Sequence, residues 1–236
     1  MNGTQEGCLW IVGTPIGNLE DISSRALRLL KESALILAED TRRTGAMLAH
    51  FGIKGKTVFS LNQHNEQKKI PDVLRRLQEG HQIALVSDSG MPCISDPGQR
   101  LIDMCHNNQI KVDIVPGPSA VTAALSASGF PAAKVSFLGF MPRGKRRRRL
   151  LRDISGTLER SAIVFFDSPN RIVETLNDCL NILGNIDCFV AREMTKVHQE
   201  FYRGTVSRII QSLVDFEIKG EITVVLSKGE TSCTGS

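Results

Sequence analysis

Three turns rich in glycine and proline carry the residue types and spacing most suited to binding a ligand. Each follows a short apolar run that reads as a strand: Gly13–Asn18 (GTPIGN), Ser87–Pro92 (SDSGMP) and Pro116–Ala120 (PGPSA). Glycine lets main-chain groups approach a ligand closely, and proline fixes the turn that presents them. One such turn is an ordinary strand-to-helix connection. Three of them at the carboxyl ends of core strands favour a binding cleft.

Two clusters of acidic and basic residues follow other predicted strands, one in each half of the chain. A carboxylate at such an edge can act as a general base, and a cation beside it can stabilise negative charge. The same residues can equally be helix caps and surface ion pairs, so both interpretations stay open. The candidate catalytic residues are Glu39, Asp40, Arg42, Glu193 and Lys196.

The positive charge of the chain is concentrated in one segment. The chain has 29 basic and 25 acidic residues and a net charge of +4. The stretch Arg143–Arg152 (RGKRRRRLLR) alone contributes seven of the cations, so the remainder is net acidic. A patch of this kind suits a polyanion, and its alternative is a solvated helix face.

Several familiar site types are missing from the sequence. Gly13 and Gly17 do not form G-x-G-x-x-G, and no G-K-[ST] follows, which excludes a dinucleotide fingerprint and a P-loop. The five histidines lack metal-ligand spacing and the six cysteines form no C-x-x-C pair, so we expect no metal and read the cysteines as buried apolar residues. Without a membrane-length apolar run or signal peptide, the chain is expected to be cytoplasmic and to make no membrane contact.

Short β-rich runs alternate with helix-period stretches along most of the chain. This alternation predicts an α/β protein with parallel or mixed sheets covered by helices on both faces. Ten strands are many for one sheet, so we predict two α/β domains, residues 1–129 and 130–228, with a flexible tail at 229–236. The predicted strands are Cys8–Val12, Ala34–Ala38, Thr57–Ser60, Ile83–Ser87, Val112–Val115, Val135–Leu138, Ala162–Phe166, Cys188–Ala191, Phe201–Gly204 and Ile222–Leu226.

Helices are indicated by apolar spacing and by start signals. Asp96-Pro97 and Ser168-Pro169 each place a capping residue before a proline, which predicts a helix beginning there. A single apolar stripe at helical spacing predicts a further helix and consists of Ile70, Val73, Leu74 and Leu77.

The three glycine- and proline-rich turns, taken in their order along the chain, resemble those of the tetrapyrrole methylase superfamily of S-adenosylmethionine-dependent enzymes. Within it the chain resembles the ribosomal RNA small-subunit methyltransferase I family, because TPIGNL from Thr14 and AEDTR from Ala38 are specific to that branch. The resemblance implies mixed sheets in two domains with a cofactor cleft between them, and a homodimer. It also implies methylation of the ribose 2'-oxygen of a cytidine in the decoding region of small-subunit (16S) ribosomal RNA.

The resemblance also implies roles for individual positions. The cofactor pocket would be formed by Pro15, Gly17, Asp88, Gly90, Pro92, Ser95, Pro116, Gly117, Ser119 and Ala120, with main chain offered to the adenine from Gly220 to Thr223. With RNA as the polyanion, the cations expected to contact its phosphates are Arg143, Lys145, Arg146, Arg147, Arg148 and Arg149.

The chain departs from the family pattern in three places. Ser89 and Met91 stand in SDSGMP where the family has SDAGTP, FDSPNR replaces YESPHR, and many relatives continue beyond the equivalent of Leu226. Two alternatives remain, a small-molecule methyltransferase of the tetrapyrrole type and a non-catalytic RNA-binding ribosome-assembly factor. The basic patch and AEDTR argue against the first, and the intact set of three turns argues against the second.

Overall fold

The computed structural model describes residues 6–158, 160–214 and 218–228, and these form two α/β units divided between Ser119 and Ala120. All ten strands expected from the sequence are present, with ends within two residues of the expected positions. The tail expected at 229–236 lies outside the described residues. Among the residues that are described, no helix has both the length and the apolar character required to cross a bilayer.

Each unit alternates strands and helices around one five-stranded sheet. The N-terminal unit contains β1 (Cys8–Val12), α1 (Ser24–Glu32), β2 (Leu35–Ala38), α2 (Thr41–His50), β3 (Val58–Ser60), α3 (Glu66–Gln78), β4 (Gln82–Leu85), α4 (Gln99–Asn107) and β5 (Lys111–Val115). The C-terminal unit contains α5 (Ala120–Ser128), β6 (Val135–Phe140), α6 (Gly144–Asp153), β7 (Ala162–Asp167), α7 (Ile172–Leu183), β8 (Asp187–Arg192), β9 (Glu200–Thr205), α8 (Val206–Leu213) and β10 (Ile222–Ser227).

The N-terminal sheet has the strand order β3-β2-β4-β1-β5, and every neighbouring pair is parallel. Its inner strands β1, β2 and β4 are largely apolar and buried on both faces. Leu35 and Leu37 pack with residues of α3 and α4, while Ile36 and Ala38 pack with residues of α1 and α2. Continuous apolar strands are typical of a parallel sheet covered on both sides. Because all five strands run the same way, their carboxyl ends meet at one edge.

The C-terminal sheet is mixed and has the order β6-β7-β10-β8-β9. Only β6 and β7 are parallel, and the other three pairs are antiparallel. The register pairs Ile222 at the start of β10 with Asp167 and Arg192 at the ends of β7 and β8. The carboxyl ends of β7 and β8 therefore meet the start of β10 at one edge. Both sheet types expected from the sequence occur, one in each unit.

The boundary between the units lies ten residues before the expected position at residue 129. The segment in between is α5, which packs against β7, β8 and β10 of the second sheet. Its buried residues are Ala124, Leu125 and Ser128, so the helix covers the C-terminal unit although it follows directly on the third turn. The expected boundary lay between this helix of small residues and the next strand, so it assigned α5 to the N-terminal domain.

Two helices begin later than their start signals predicted. The helix expected at Asp96-Pro97 is α4, which begins at Gln99 after Gly98. The helix expected at Ser168-Pro169 is α7, which begins at Ile172 because residues 168–171 form a turn closed by the Arg171 N–H and the Ser168 carbonyl at 3.1 Å. The stripe through α3 was predicted correctly.

One arginine of the basic segment is buried inside the C-terminal unit. The Arg147 side chain is 1% exposed, and its guanidinium donates to three residues of α7. The distances are 2.7 Å from Nε to Asp178 Oδ2, 3.1 Å from Nη1 to Thr175 Oγ1 and 2.6 Å from Nη2 to Glu174 Oε1. The expected contact of Arg147 with RNA is therefore wrong, because its donors are occupied and screened from solvent.

The contacts of Arg147 continue to the ends of two strands. Thr175 Oγ1 donates to one oxygen of the buried Asp167, and the other oxygen pairs with Arg171 Nη2 at 2.7 Å. Arg171 Nη1 in turn donates to the Met141 carbonyl at 3.2 Å. This chain of polar contacts, here called the Arg147 network, links α6 and α7 to the turn that follows β6.

We predict that Arg147→Met lowers the free energy of unfolding by about 3 kcal/mol, because it leaves the largely buried Asp178 carboxylate without its closest cation. Urea unfolding followed by circular dichroism measures the change. Arg149→Met is the matched control, since Arg149 lies on the same helix with 84% of its side chain exposed and should change stability by less than about 0.5 kcal/mol. Equal losses in the two variants would contradict the structural role of Arg147.

Candidate functional site

The three turns singled out in the sequence lie together at the carboxyl edge of the N-terminal sheet. They follow β4, β1 and β5, which are consecutive neighbours in the strand order. The Thr14 N–H donates to the Gly90 carbonyl at 2.9 Å, and the Thr14 hydroxyl reaches the Ser87 carbonyl at 3.1 Å. The Ser87 hydroxyl also donates to the Gly90 carbonyl, at 3.1 Å. The first and second turns are thus joined by buried hydrogen bonds.

The first and third turns touch through their main chains. A Cβ atom on Gly117 would lie 2.8 Å from Cα of Gly13, and one on Gly13 would lie 2.7 Å from N of Gly117. Gly90 has φ +84°, and a Cβ atom there would lie 3.3 Å from the Pro118 carbonyl oxygen. Because Gly13 and Gly117 have no side chains, the first and third turns meet main chain to main chain, which is the kind of surface that approaches a ligand closely.

Most residues expected to hold the cofactor belong to this surface or to the loop after β4. Pro15, Gly90 and Pro92 are buried within the turns, whereas Gly17 and Pro116 are exposed. In the loop, Cys93 and Ser95 both have φ +68°, a conformation that non-glycine residues rarely adopt and that is found at ligand sites more often than elsewhere. The expected cofactor residues of the N-terminal unit are Pro15, Gly17, Asp88, Gly90, Pro92, Ser95, Pro116, Gly117 and Ser119.

A group of carboxylates lies beside the three turns, at the ends of β2 and β4. Asp88 Oδ1 accepts the Asp40 N–H at 3.0 Å, and Asp88 Oδ2 lies 3.7 Å from Arg43 Nη1. Burial and the neighbouring Glu39 carboxylate raise the pKa of Asp96 to about 6. Desolvation of its carboxyl and the charge of Asp88 also raise the pKa of Glu39, although Glu39 is exposed. Glu39, Asp88 and Asp96 thus form a group of neighbouring acids at this edge.

Asp40 and Arg42 are engaged with each other. Asp40 Oδ1 caps α2 by accepting the Arg42 N–H at 2.9 Å, and Asp40 Oδ2 pairs with Arg42 Nη2 at 2.7 Å. Hydrogen bonds from the Arg42 side chain and main chain hold the pKa of Asp40 well below its usual range. Asp40 is thus a poor proton acceptor near neutral pH, and its capping role explains why the residue follows the strand.

Glu193 and Lys196 form a similar closed pair in the C-terminal unit. Glu193 Oε1 accepts Lys196 Nζ and the Glu221 N–H, both at 2.8 Å, and Lys196 Nζ lies 3.2 Å from Glu221 Oε2. Burial acts against the charge of Glu193, but the bonds from Lys196 and Glu221 prevail and lower its pKa. Gly220 is required beside them because a Cβ atom there would collide with the Glu193 carboxyl group. The pair ties the loop after β8 to the start of β10.

The remaining expected cofactor residues also lie in the C-terminal unit. Ala120 begins α5, and Gly220 precedes β10. Thr223 is buried inside β10 and is paired with Phe166 on one side and Ala191 on the other. The main-chain groups of Thr223 are directed at these two neighbouring strands. The main-chain contact with the adenine, expected from Gly220 to Thr223, is therefore open only to the residues before β10.

The other cations of the basic segment lie on or just before α6. Arg143, Lys145, Arg146 and Arg149 are exposed, and Arg148 is half-buried with its Nη1 atom 3.8 Å from Asp178. The exposed cations can reach a polyanion, although Arg149 Nε also lies 3.9 Å from Asp153 Oδ2. In the described part of the chain, no group of three or more histidine, cysteine or acidic residues is arranged to hold a metal ion.

Asp96 and Arg43 were not singled out from the sequence. Asp96 lies in the ISDPG segment and was interpreted only as a helix start. Its position in the loop that follows the glycine-containing second turn was the signal that could have found it. Arg43 stood next to Arg42 in AEDTRR, and nothing in the sequence showed which of the two would approach Asp88.

Comparison with known proteins agrees with this fold. The chain matches the family of Tetrapyrrole (Corrin/Porphyrin) Methylases over residues 8–210. The solved structure of a uroporphyrin III C-methyl transferase from Thermus thermophilus has a TM-score of 0.63 and covers 94% of this chain and 97% of its own. At 17% identity that likeness shows the fold alone. The fold and the family match together define a methyltransferase of the tetrapyrrole methylase type.

Two relatives narrow the family further. A ribosomal RNA small subunit methyltransferase I from Thermotoga maritima is 55% identical over 95% of this chain and 100% of its own length. One from Escherichia coli O157:H7 is 42% identical over 94% of this chain and 78% of its own length. The chain therefore belongs to the ribosomal RNA small subunit methyltransferase I family, which confirms the resemblance seen in TPIGNL and AEDTR.

We predict that Gly117→Ala lowers the free energy of unfolding by about 1–3 kcal/mol, because its Cβ atom would press on the main chain of Gly13. Gly45→Ala is the control. Gly45 lies in α2 with no atom within 4 Å of its Cβ position, so alanine should leave stability unchanged or raise it by up to about 1 kcal/mol. Thermal unfolding of both variants checks the difference, and an unchanged Gly117→Ala protein would refute the close approach.

We predict that Asp96 makes stability fall as pH rises. The pKa of Asp96 is about 6 in the folded chain against an ordinary value of 3.8. Between these two pH values the unfolded chain has lost the proton and the folded chain still holds it, so each rise in pH stabilises the unfolded chain relative to the folded one. Asp96→Asn removes the effect. Its free energy of unfolding relative to the unsubstituted protein should therefore increase from about pH 4 to about pH 7. A difference that stays constant in urea unfolding across this range would contradict the raised pKa.

Proposed function

We propose that this chain transfers a methyl group from S-adenosylmethionine to the ribose 2'-oxygen of a cytidine in the decoding region of small-subunit ribosomal RNA. The observation that carries the proposal is the 55% identity to a ribosomal RNA small subunit methyltransferase I over that relative's full length. The three joined turns and the exposed cations of α6 support the cofactor and the polyanionic substrate. The homodimer implied by the family resemblance belongs to the same proposal.

The residues of the three turns fit S-adenosylmethionine. Gly13, Gly90 and Gly117 remove side chains where the turns meet, so that polar main-chain groups rather than Cβ atoms form the surface. Residues at the edge of this surface, including the exposed Gly17 and Pro116, would hold the amino acid and nucleoside parts of the cofactor. When bound, S-adenosylmethionine supplies a methyl group already activated by the sulfonium charge.

The task of the protein is then to orient the attacking hydroxyl and to receive its proton. A ribose hydroxyl is a weak nucleophile at neutral pH, and a positioned base contributes typically 10²–10⁴-fold to such a step. Among the three acids expected from the sequence, Glu39 alone has a raised pKa, whereas Asp40 and Glu193 have lowered pKa values. We therefore assign proton acceptance to Glu39. Asp40 holds the start of α2, and Glu193 with Lys196 holds the loop after β8.

The exposed cations of α6 favour RNA over a small ring as the substrate. Arg143, Lys145, Arg146 and Arg149 present their charges to solvent, as phosphate contacts require. A tetrapyrrole-sized substrate would not need charges spread along a ten-residue helix. Phosphate contacts make RNA affinity fall steeply with salt, and each cation removed should flatten that dependence.

The proposal is tested by transfer of a labelled methyl group to small ribosomal subunits that lack the modification, followed by nuclease mapping. We expect the label on the 2'-oxygen of a decoding-region cytidine. Transfer to a base or to another region would overturn the proposed position. Cofactor binding without transfer to RNA would favour a small-molecule substrate, and RNA binding without cofactor binding would favour an assembly factor.

The same assay separates the neighbouring acids. Glu39→Gln should lower kcat by about 100-fold or more while cofactor binding, measured by calorimetry, is retained. Asp40→Asn is the matched control one residue away: it should weaken the cap of α2 by about 1 kcal/mol and leave kcat near its original value. A normal kcat in Glu39→Gln would exclude Glu39 as the base.

A further inference from the structure

An exposed aromatic ring stands at the end of β6, just ahead of the basic helix. Phe140 is the last residue of this edge strand and is 63% exposed. Three residues later comes the exposed Arg143, and Lys145 and Arg146 follow in the first turn of α6. An isolated exposed phenylalanine is common on protein surfaces. This one is distinguished by how it is held and by the charge beside it.

The backbone of β6 is irregular where it presents the ring. Phe137 pairs with Val164 but Phe140 pairs with Phe166, so three steps along β6 match two along β7. Gly139, with φ +67°, accommodates this bulge. Bulges re-aim side chains at sheet edges and beside ligand sites. The Phe140 ring meets the Phe166 ring edge-on at 5.3 Å between centroids, so one part of it rests on protein while most stays in solvent.

Both main-chain polar groups of the residue that follows Phe140 are held by hydrogen bonds. The buried Met141 donates its N–H to the Phe166 carbonyl at 2.8 Å, and its own carbonyl accepts Arg171 Nη1 at 3.2 Å. Arg171 belongs to the Arg147 network, which continues into α6. The main chain that carries the ring and the basic helix are therefore held by one set of contacts, so little main-chain freedom is lost when a ligand binds there.

A fixed exposed ring beside a row of cations matches the chemistry of unpaired RNA. Proteins that bind single-stranded nucleic acids stack bases on aromatic side chains and follow the phosphates with basic residues. Bases inside a duplex are already stacked on each other and cannot use such a ring. We propose that Phe140 is a stacking platform for an unpaired base of the RNA whose phosphates contact Arg143, Lys145 and Arg146. The proposal rests on RNA being the substrate and names the part of RNA that is recognised.

The test measures RNA affinity rather than methylation. Phe140→Leu keeps an apolar side chain but removes the ring, so binding of a fluorescein-labelled single-stranded oligocytidylate of about 12 nucleotides should weaken roughly tenfold in an anisotropy titration. Its salt dependence should not change, because no phosphate contact is lost. With the same oligonucleotide backbone carrying abasic residues, Phe140→Leu and the unsubstituted protein should bind equally.

Phe201→Leu is the matched control. Phe201 is 46% exposed, contacts the Phe189 ring at 5.3 Å and lies on β9, the opposite edge strand of the same sheet. Its substitution should leave RNA affinity unchanged. Arg146→Gln is the second control and should flatten the salt dependence without removing the preference for RNA with bases.

Four results would overturn the proposal: no oligonucleotide binding by the unsubstituted protein, unchanged affinity in Phe140→Leu, an equal loss in Phe201→Leu, or an equal loss with abasic RNA. A change in sedimenting mass with no change in RNA affinity would assign the ring to contacts between copies of the chain. Base-dependent binding without methyl transfer would refute the proposed methylation but keep the platform. Methyl transfer with binding that does not depend on Phe140 would refute the platform alone.

Discussion

The contact between Gly13 and Gly117 is the constraint on which the rest of the N-terminal site depends. The two glycines follow adjacent parallel strands, and their main chains approach more closely than any Cβ atom would permit. This contact brings the turns after β1 and β5 together, and the hydrogen bond from Thr14 to Gly90 then adds the turn after β4. The sheet supplies the common edge, and the absence of side chains at Gly13 and Gly117 lets the first and third turns meet there.

The three acids expected to be catalytic show how position along a strand differs from chemical role. Sequence placed Glu39, Asp40 and Glu193 equally at strand ends. The partner of Asp40 is two residues away in Arg42, and the partners of Glu193 include the N–H of Glu221, 28 residues further on. Each of these two carboxylates is held in its charged form by hydrogen bonds from nearby donors. Burial and the Asp88 carboxylate at a neighbouring strand end instead raise the pKa of Glu39, so the three acids differ in their surroundings although they share a position along a strand.

The fold was largely predictable from sequence because strands and glycine turns are local signals. The apolar runs located all ten strands, and glycine and proline at their carboxyl ends located the three turns. Contacts between distant segments were not predictable. Arg147 looked like its five basic neighbours, and only its partners Glu174 and Asp178, 27 and 31 residues later, show it to be buried. The same holds for Asp96, whose raised pKa depends on Glu39 from another strand end.

The order of strands in each sheet differs from their order in the chain. This difference determines when during synthesis each sheet can form all its strand pairs. The inner strand β1 pairs only with β4 and β5, which begin at Gln82 and Lys111. At roughly 5–20 residues per second, β1 waits several seconds for its partners. In the C-terminal sheet the central strand β10 is made last, and β7 and β8 stay without their shared neighbour until it emerges. Both sheets are thus completed only when a strand far along the chain has been synthesised. Until then, apolar strands stay unpaired and can bind chaperones or pair wrongly during translation.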